Sequence, residues 1–270
     1  MSILLTIDVE DYFQVENLRP FFPLPNWNSC DLRIEANTSR LLELFDYHNV
    51  KATFFVVGWI AERCSRLVRE IRDRGHEVAS HGYHHQVTSE LSEAQLRDDL
   101  YRSKALLEDI TGGPVIGYRA PNFSLSEEVW RLLSELGYRY DSSLNPFKGA
   151  SNVNSQSSSV YEMPVSNLRI WAWWIPLGGG GYFRLWPRPW FEMGVARTLR
   201  SEGRYVFYIH PWEIDAEQPR TGKVRGFRQF KHYLNLDKTL DRLDHFLQRF
   251  KSYPFLSCKE YLQKTVGREA

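Results

Sequence analysis

The 270-residue chain is poor in several things that would define its class. Its three cysteines, Cys30, Cys64 and Cys258, are odd in number and far apart, with no Cys-x-x-Cys. That excludes a disulfide framework and a thiolate metal site, and reads as reduced thiols. No stretch approaches the ~20 apolar residues of a membrane-spanning helix. Met1 to Asp8 carries no basic region, and its apolar run ends too early for a secretory signal. Together these absences predict a cytoplasmic chain without a transmembrane segment. A formal net charge of +1 and the lack of any long basic run argue against a nucleic-acid partner. The run Gly178 to Gly181 lacks the Gly-Lys-Ser/Thr continuation of a phosphate loop, so a flexible lid or turn is expected there. No internal repeat is visible.

Aromatic residues are the one excess, with nine Trp, 14 Tyr and 16 Phe. The order of elements is a strand-helix alternation. Ile3 to Asp8, Ala52 to Val57, Val78-Ala79, Ile116 to Arg119, Tyr138 to Asp141 and Tyr205 to Ile209 read as buried strands. Between them lie helical faces: Ile34 to Phe45, Ile60 to Ile71, the capping box Ser92-Glu93-Ala94-Gln95 with Leu96 to Ile110, and a helix capped within Ser124 to Glu127. Leu236 to Phe250 is a further amphipathic helix. This alternation predicts an α/β architecture with a parallel sheet in one domain, residues 1–270. Within it, 145–200 reads as a loop- and Trp/Gly-rich insertion whose Asn145 to Ser159 portion is an exposed Ser/Asn-rich loop.

Groups able to do chemistry recur where strands end: Asp8 and Glu10, His81 and His85, Arg119, Asp141, and His210. In a parallel barrel these ends share the face on which active sites form. His81 and His85 are four residues apart, so a loop or helical turn brings both imidazoles to one side. Strand alternation points Asp8 and Glu10 one way and Val9 and Asp11 the other. Two imidazoles and one carboxylate make an open divalent-metal site, zinc foremost. The second carboxylate is then placed to take a proton from water. His76 reads as structural, and His84 is off the motif's spacing. His48, His232 and His245 have no partner in sequence and default to surface or helix-face positions.

These segments resemble a known family. Thr6-Ile7-Asp8, His81 to His85, Arg119-Ala120-Pro121, Asp141-Ser142-Ser143 and Tyr208-Ile209-His210 look like the five ordered motifs of NodB-type polysaccharide deacetylases, carbohydrate esterase family 4. Asp8 to Phe13 and His210-Pro211-Trp212-Glu213 look more like the subgroup found with exosortase-linked exopolysaccharide biosynthesis. The resemblance implies an incomplete (β/α) barrel and metal-dependent removal of acetyl groups from an N-acetylated sugar. By position, Asp8 would be the general base, His81 and His85 metal ligands, and Arg119 the group orienting Asp8. The backbone N–H of Asn122 would bind the oxyanion, and His210, tuned by Asp141, would be the general acid. The family's usual metal-binding Asp directly after the base is here Val9, which makes Glu10 the replacement ligand and Asp11 the alternative.

For the substrate, an intracellular, lipid- or nucleotide-linked precursor is expected. Trp171, Trp173 and Trp174 are the expected sugar-stacking platform, with packing in the core as the other reading. Two rival functions share the scaffold: a cyclic-amide hydrolase, suggested by the altered first motif, and a carbohydrate-binding protein without turnover. A glycosidase finds little support, because histidine outweighs carboxylate in the motifs.

Overall fold

Strand β1, Ser2–Val9, is the one against which the rest of the sheet is laid. Its residues are buried on both faces, as a parallel strand covered by helices requires. The computed structural model describes residues 1–148, 159–171, 173–220 and 227–267; residues 149–158, most of the expected Ser/Asn-rich loop, lie outside that set.

After β1 come helix α1 (Ile34–Tyr47), β2 (Thr53–Val56), helices α2 (Gly58–Arg63) and α3 (Ser65–Asp73), and β3 (Glu77–Ser80). Then follow α4 (Glu93–Thr111), β4 (Gly117–Tyr118), α5 (Glu127–Glu135), β5 (Tyr140–Asp141) and β6 (Tyr161–Glu162). A hairpin of β7 (Asn167–Ile170) and β8 (Trp173–Pro176) leads to α6 (Gly180–Leu185), α7 (Arg188–Glu202) and β9 (Arg204–Ile209). The chain finishes with α8 (Phe227–Tyr233), α9 (Thr239–Arg249), β10 (Phe255–Leu256) and α10 (Cys258–Val266). The helix expected over Ile60 to Ile71 is broken at Cys64, which lies buried between α2 and α3.

The main sheet has eight strands in the order β10-β1-β2-β3-β4-β5-β6, with β9 on the other edge of β1. Every pairing in it is parallel. The gap between β6 and β9 is closed by irregular chain, through Ser166 N–H donating to Val206 O and Tyr208 N–H donating to Gly178 O. The result is an α/β half-barrel with helices outside. Ser166 and Gly178, within the 145–200 stretch, thus stand in the wall beside β9.

Alternation along β1 sorts its side chains. Ile3, Leu5, Ile7 and Val9 join the large core between sheet and helices. Leu4 belongs to a small interior core with Phe55, Ala79, Tyr140, Met163 and Val206. Thr6 and Asp8 continue the Leu4 column toward the carboxyl ends of the strands, which fixes where polar groups collect. Of the two readings of the glycine run, flexible lid or turn, the lid is set aside: Gly178, Gly179 and Gly180 are buried. A Cβ on Gly179 would sit 2.5 Å from the Tyr208 hydroxyl, and one on Gly180 would sit 2.2 Å from Glu213 Oε1. Glycine is required there by close approach, and it lets Glu213 press against the end of β9.

Candidate active site and metal centre

Asp8 is positioned from inside the barrel. Arg119, fully buried after β4, donates from Nη1 to Asp8 Oδ1 at 2.7 Å and to Thr6 Oγ1 at 2.7 Å. Its other donors go to the carbonyl and hydroxyl oxygens of Ser142. A buried guanidinium with its donors so directed is held both electrically and geometrically. It leaves Asp8 Oδ2 facing the cavity.

His81 and His85 follow β3 on a loop, not on a helical turn. Gly82 and His85 are both in the left-handed region, with φ of 71° and 53°, and this folds the loop back on itself. Asp99 of α4 anchors it by accepting from the backbone N–H groups of Tyr83 and His84. The two imidazoles lie with ring centroids 5.0 Å apart. His81 Nδ1 donates to Arg119 O at 2.7 Å, so its Nε2 presents a lone pair to the site. Burial holds the His81 pKa down at about 4, which keeps it neutral and fit to ligate.

The third member of this group is Glu10. One ligand atom from each of Glu10, His81 and His85 lies within 4.8 Å of the others, all three residues being buried. His85 Nε2 is in ion-pair contact with Glu10 Oε2 at 2.5 Å. Two imidazoles and a carboxylate converging on one buried point make a set that could hold a divalent ion. Burial would raise the Glu10 carboxyl, but His85, His210 and His81 together hold it well below the usual range. Asp11, the alternative ligand, is turned away: it accepts from the backbone N–H groups of Tyr12, Arg33 and Ile34 and so tethers the start of α1.

His210 closes the other side. Its Nε2 is 3.4 Å from Glu10 Oε1 and 3.9 Å from Asp8 Oδ2. Its Nδ1 donates to Glu213 Oε1 at 2.6 Å, and Glu213 Oε2 accepts from Arg184 Nε at 2.7 Å. Burial would lower the His210 pKa, but Glu10, Glu213 and Asp8 raise it to about 9.

The expected tuning of His210 by Asp141 is therefore corrected. Asp141 accepts from the Ser143 hydroxyl and backbone N–H and pairs with Glu162 behind the site. The reason is the short β5–β6 pairing, which sets residue 141 opposite residue 162 and away from β9. Glu213 was legible only as the last residue of the His210-Pro211-Trp212-Glu213 segment, with no role attached to it, and Arg184 gave no signal. Trp212 was also missed. Its indole N–H donates to Glu10 Oε1 at 3.1 Å, and its ring is stacked between His210 and His232, at 5.3 and 4.6 Å. His232, expected at the surface or on a helix face, is on α8 and is buried in that stack, where it pairs with Gln218.

The cavity over these groups has a volume of about 300 Å³. Asn122, Phe123, Phe147, Tyr182, Tyr208 and Trp212 are among its walls, with Asn122 held at φ 56° and donating to Glu16. None of Trp171, Trp173 and Trp174 lines it. They are not core residues either, being 92%, 78% and 40% exposed. The expected stacking platform therefore stands on the exposed hairpin, outside the cavity, and within the cavity the aromatic walls open to a sugar include Tyr182 and Phe147.

Comparison with known proteins follows this geometry. Residues 26–140 match the family model described as Polysaccharide deacetylase, and residues 141–263 match Domain of unknown function (DUF3473). The two stretches share one sheet, since β1, which precedes both, pairs with β2 of the first and with β9 and β10 of the second. A peptidoglycan deacetylase of Helicobacter pylori is 38% identical over 110 residues, covering 41% of this chain and 38% of that protein. A peptidoglycan-N-acetylglucosamine deacetylase of Bacillus cereus is 28% identical over 102 residues, covering 38% of this chain and 47% of that protein. These matches span less than half the length of the curated relatives. A crystal structure described as a polysaccharide deacetylase from Mycobacterium smegmatis aligns with TM-score 0.67 at 21% identity, over 99% of this chain and 90% of that one.

Proposed function

We propose, on the premise that through residues 26–140 the chain belongs to the polysaccharide deacetylase family, that it is a metal-dependent hydrolase removing N-acetyl groups from a sugar or short glycan. The single observation that carries this is the buried set Glu10, His81 and His85 beside the Asp8–Arg119 pair. A divalent ion held by Glu10, His81 and His85, zinc foremost, would supply Lewis acidity toward water and the amide oxygen.

The chain's own residues do the rest. Asp8, oriented by Arg119, takes the proton from the attacking water. The backbone N–H of Asn122 helps bear the charge that develops on the amide oxygen. His210, protonated and pinned by Glu213, gives its proton to the sugar nitrogen as the C–N bond breaks, releasing acetate and a free amine. Tyr182 and Phe147 offer apolar faces for the pyranose. The relatives named above act on peptidoglycan by their names. For this chain the substrate is an N-acetylated precursor of an exopolysaccharide, met in the cytoplasm. The test is acetate release from N-acetylglucosamine oligomers by metal-loaded protein. Turnover that disappears on chelation and returns with added zinc supports the reading, and turnover indifferent to chelation would sink it.

A further inference from the structure

We propose that the β7–β8 hairpin and the acid-free segment around it form a surface that docks the protein on an anionic lipid bilayer. From Met163 to Phe191 the chain has no Asp or Glu, although the whole sequence holds 33 acids in 270 residues. The same segment holds Trp171, Trp173, Trp174, Trp186 and Trp190, and its only charged residues are Arg169, Arg184 and Arg188. Arg184 is buried on Glu213, while Arg169 and Arg188 are exposed, Arg188 lying 3.8 Å from Glu192 just beyond the segment. The near-neutral total charge thus conceals a local patch that is cationic and rich in indole.

The indoles do little for the fold. Trp171 occupies the tight connection between the two strands at φ 55°, a left-handed conformation that Asn or Gly adopts with less strain. It is 92% exposed, so the strain is not offset by burial of its ring. Trp173 is 78% exposed. On α7, which packs against β7, Trp190 and Met193 are also exposed.

The chemistry favours lipid over glycan. A sugar platform sets hydroxyl-binding polar side chains beside the aromatic face, whereas Arg169, its guanidinium 5.7 Å from the Trp174 ring, is the one charged side chain on the hairpin. Tryptophan settles at the bilayer–water boundary, where its ring meets acyl chains and its N–H meets headgroups. Guanidinium groups pair with phosphates. No helix among the described residues is long and apolar enough to cross a membrane, so attachment would be interfacial. The position suits the cavity as well: β8 packs on the turn Pro146–Lys148, whose Phe147 lines it. The docking surface does not depend on the deacetylase reading and can fail or stand separately from it.

The test is co-sedimentation of the full chain with phosphatidylcholine vesicles, with and without phosphatidylglycerol. Sedimentation with the anionic vesicles, a blue shift of tryptophan fluorescence and quenching by brominated acyl chains are expected. Trp171→Ser with Trp173→Ser should lose all three with unchanged circular dichroism, and Arg169→Gln with Arg188→Gln should lose the preference for phosphatidylglycerol. Wild-type protein that stays in the supernatant and is not quenched would overturn the proposal. So would displacement from vesicles by N-acetylglucosamine oligomers, which would assign the surface to glycan.

Discussion

The two sides of the active cavity are built differently. On one side, Asp8, Glu10, His81 and His85 stand at or just past the ends of β1 and β3, which flank β2, and each is carried there by its own strand or loop. On the other, His210 depends on Glu213, Glu213 on Arg184, and Arg184 in turn donates to the carbonyl oxygens of His232 and Leu234. The first side is brought to the strand ends by local backbone and then fixed by Arg119 and Trp212, whereas the second is built throughout from a chain of long-range contacts. The comparison teaches that a metal-binding half can be read from spacing, while the half that handles the leaving group is tuned by residues whose roles no spacing reveals.

The largest expected effect tests the first side. His81→Ala with His85→Ala should leave no bound divalent ion by elemental analysis, since only one ligand would remain. Full occupancy would move the metal elsewhere. Asp8→Asn should retain the ion and lose turnover by about 10²–10⁴-fold, the usual worth of a general base. Loss of the ion from that variant would make Asp8 a ligand and erase the division of labour with Glu10.

Smaller effects test the second side. Glu213→Gln should lower kcat by about 10–100-fold, the scale seen when an orienting partner is removed, while Asp141→Asn should change kcat far less. Equal losses would return Asp141 to the role expected from the motifs. Trp212→Phe keeps the stack but removes the N–H donor to Glu10, and should weaken divalent-ion affinity by about tenfold in titration calorimetry. Unchanged affinity would show that Glu10 is held in place without the indole.

The smallest effect lies behind the site. Burial, and then the neighbouring Asp141, raises the Glu162 pKa well above its ordinary 4.5. The folded chain therefore binds a proton that the unfolded chain has already released, so stability present at low pH is lost as pH rises above 4.5 toward the folded value. Glu162→Gln should flatten this decline in Tm, by about the 2–4 °C that 1 kcal/mol moves a domain of this size. Parallel Tm curves for both proteins would show that Glu162 is ionised alike in the two states.

Much of the first side was legible because strand alternation is a local rule. It preferred Glu10 to Asp11, and the structure turns Asp11 to the α1 start. The hydrophobic runs likewise placed β1, β2 and β9, since parallel strands buried on both faces leave continuous apolar stretches. β6 and β10 are two-residue strands, too short to carry any period, and the β7–β8 hairpin lacks the Asn-Gly signature of a tight turn. The glycine run misled for a related reason: sequence shows that a side chain is missing, but not what fills the space.

By itself, then, the sequence determined which strands pass through the core, that their polar carboxyl ends hold two histidines and two nearby acids, and that the chain resembles polysaccharide deacetylases. Tertiary structure alone decided which carboxylate serves His210, what clamps Glu10, and which aromatics face the cavity. Glu10 and Trp212 are 202 residues apart, and Arg184 and Glu213 are 29 apart. Contacts of that separation are set by how sheet and helices close on one another. The periodicity of a strand or helix carries no record of them, because it encodes only which way a side chain points from its own backbone.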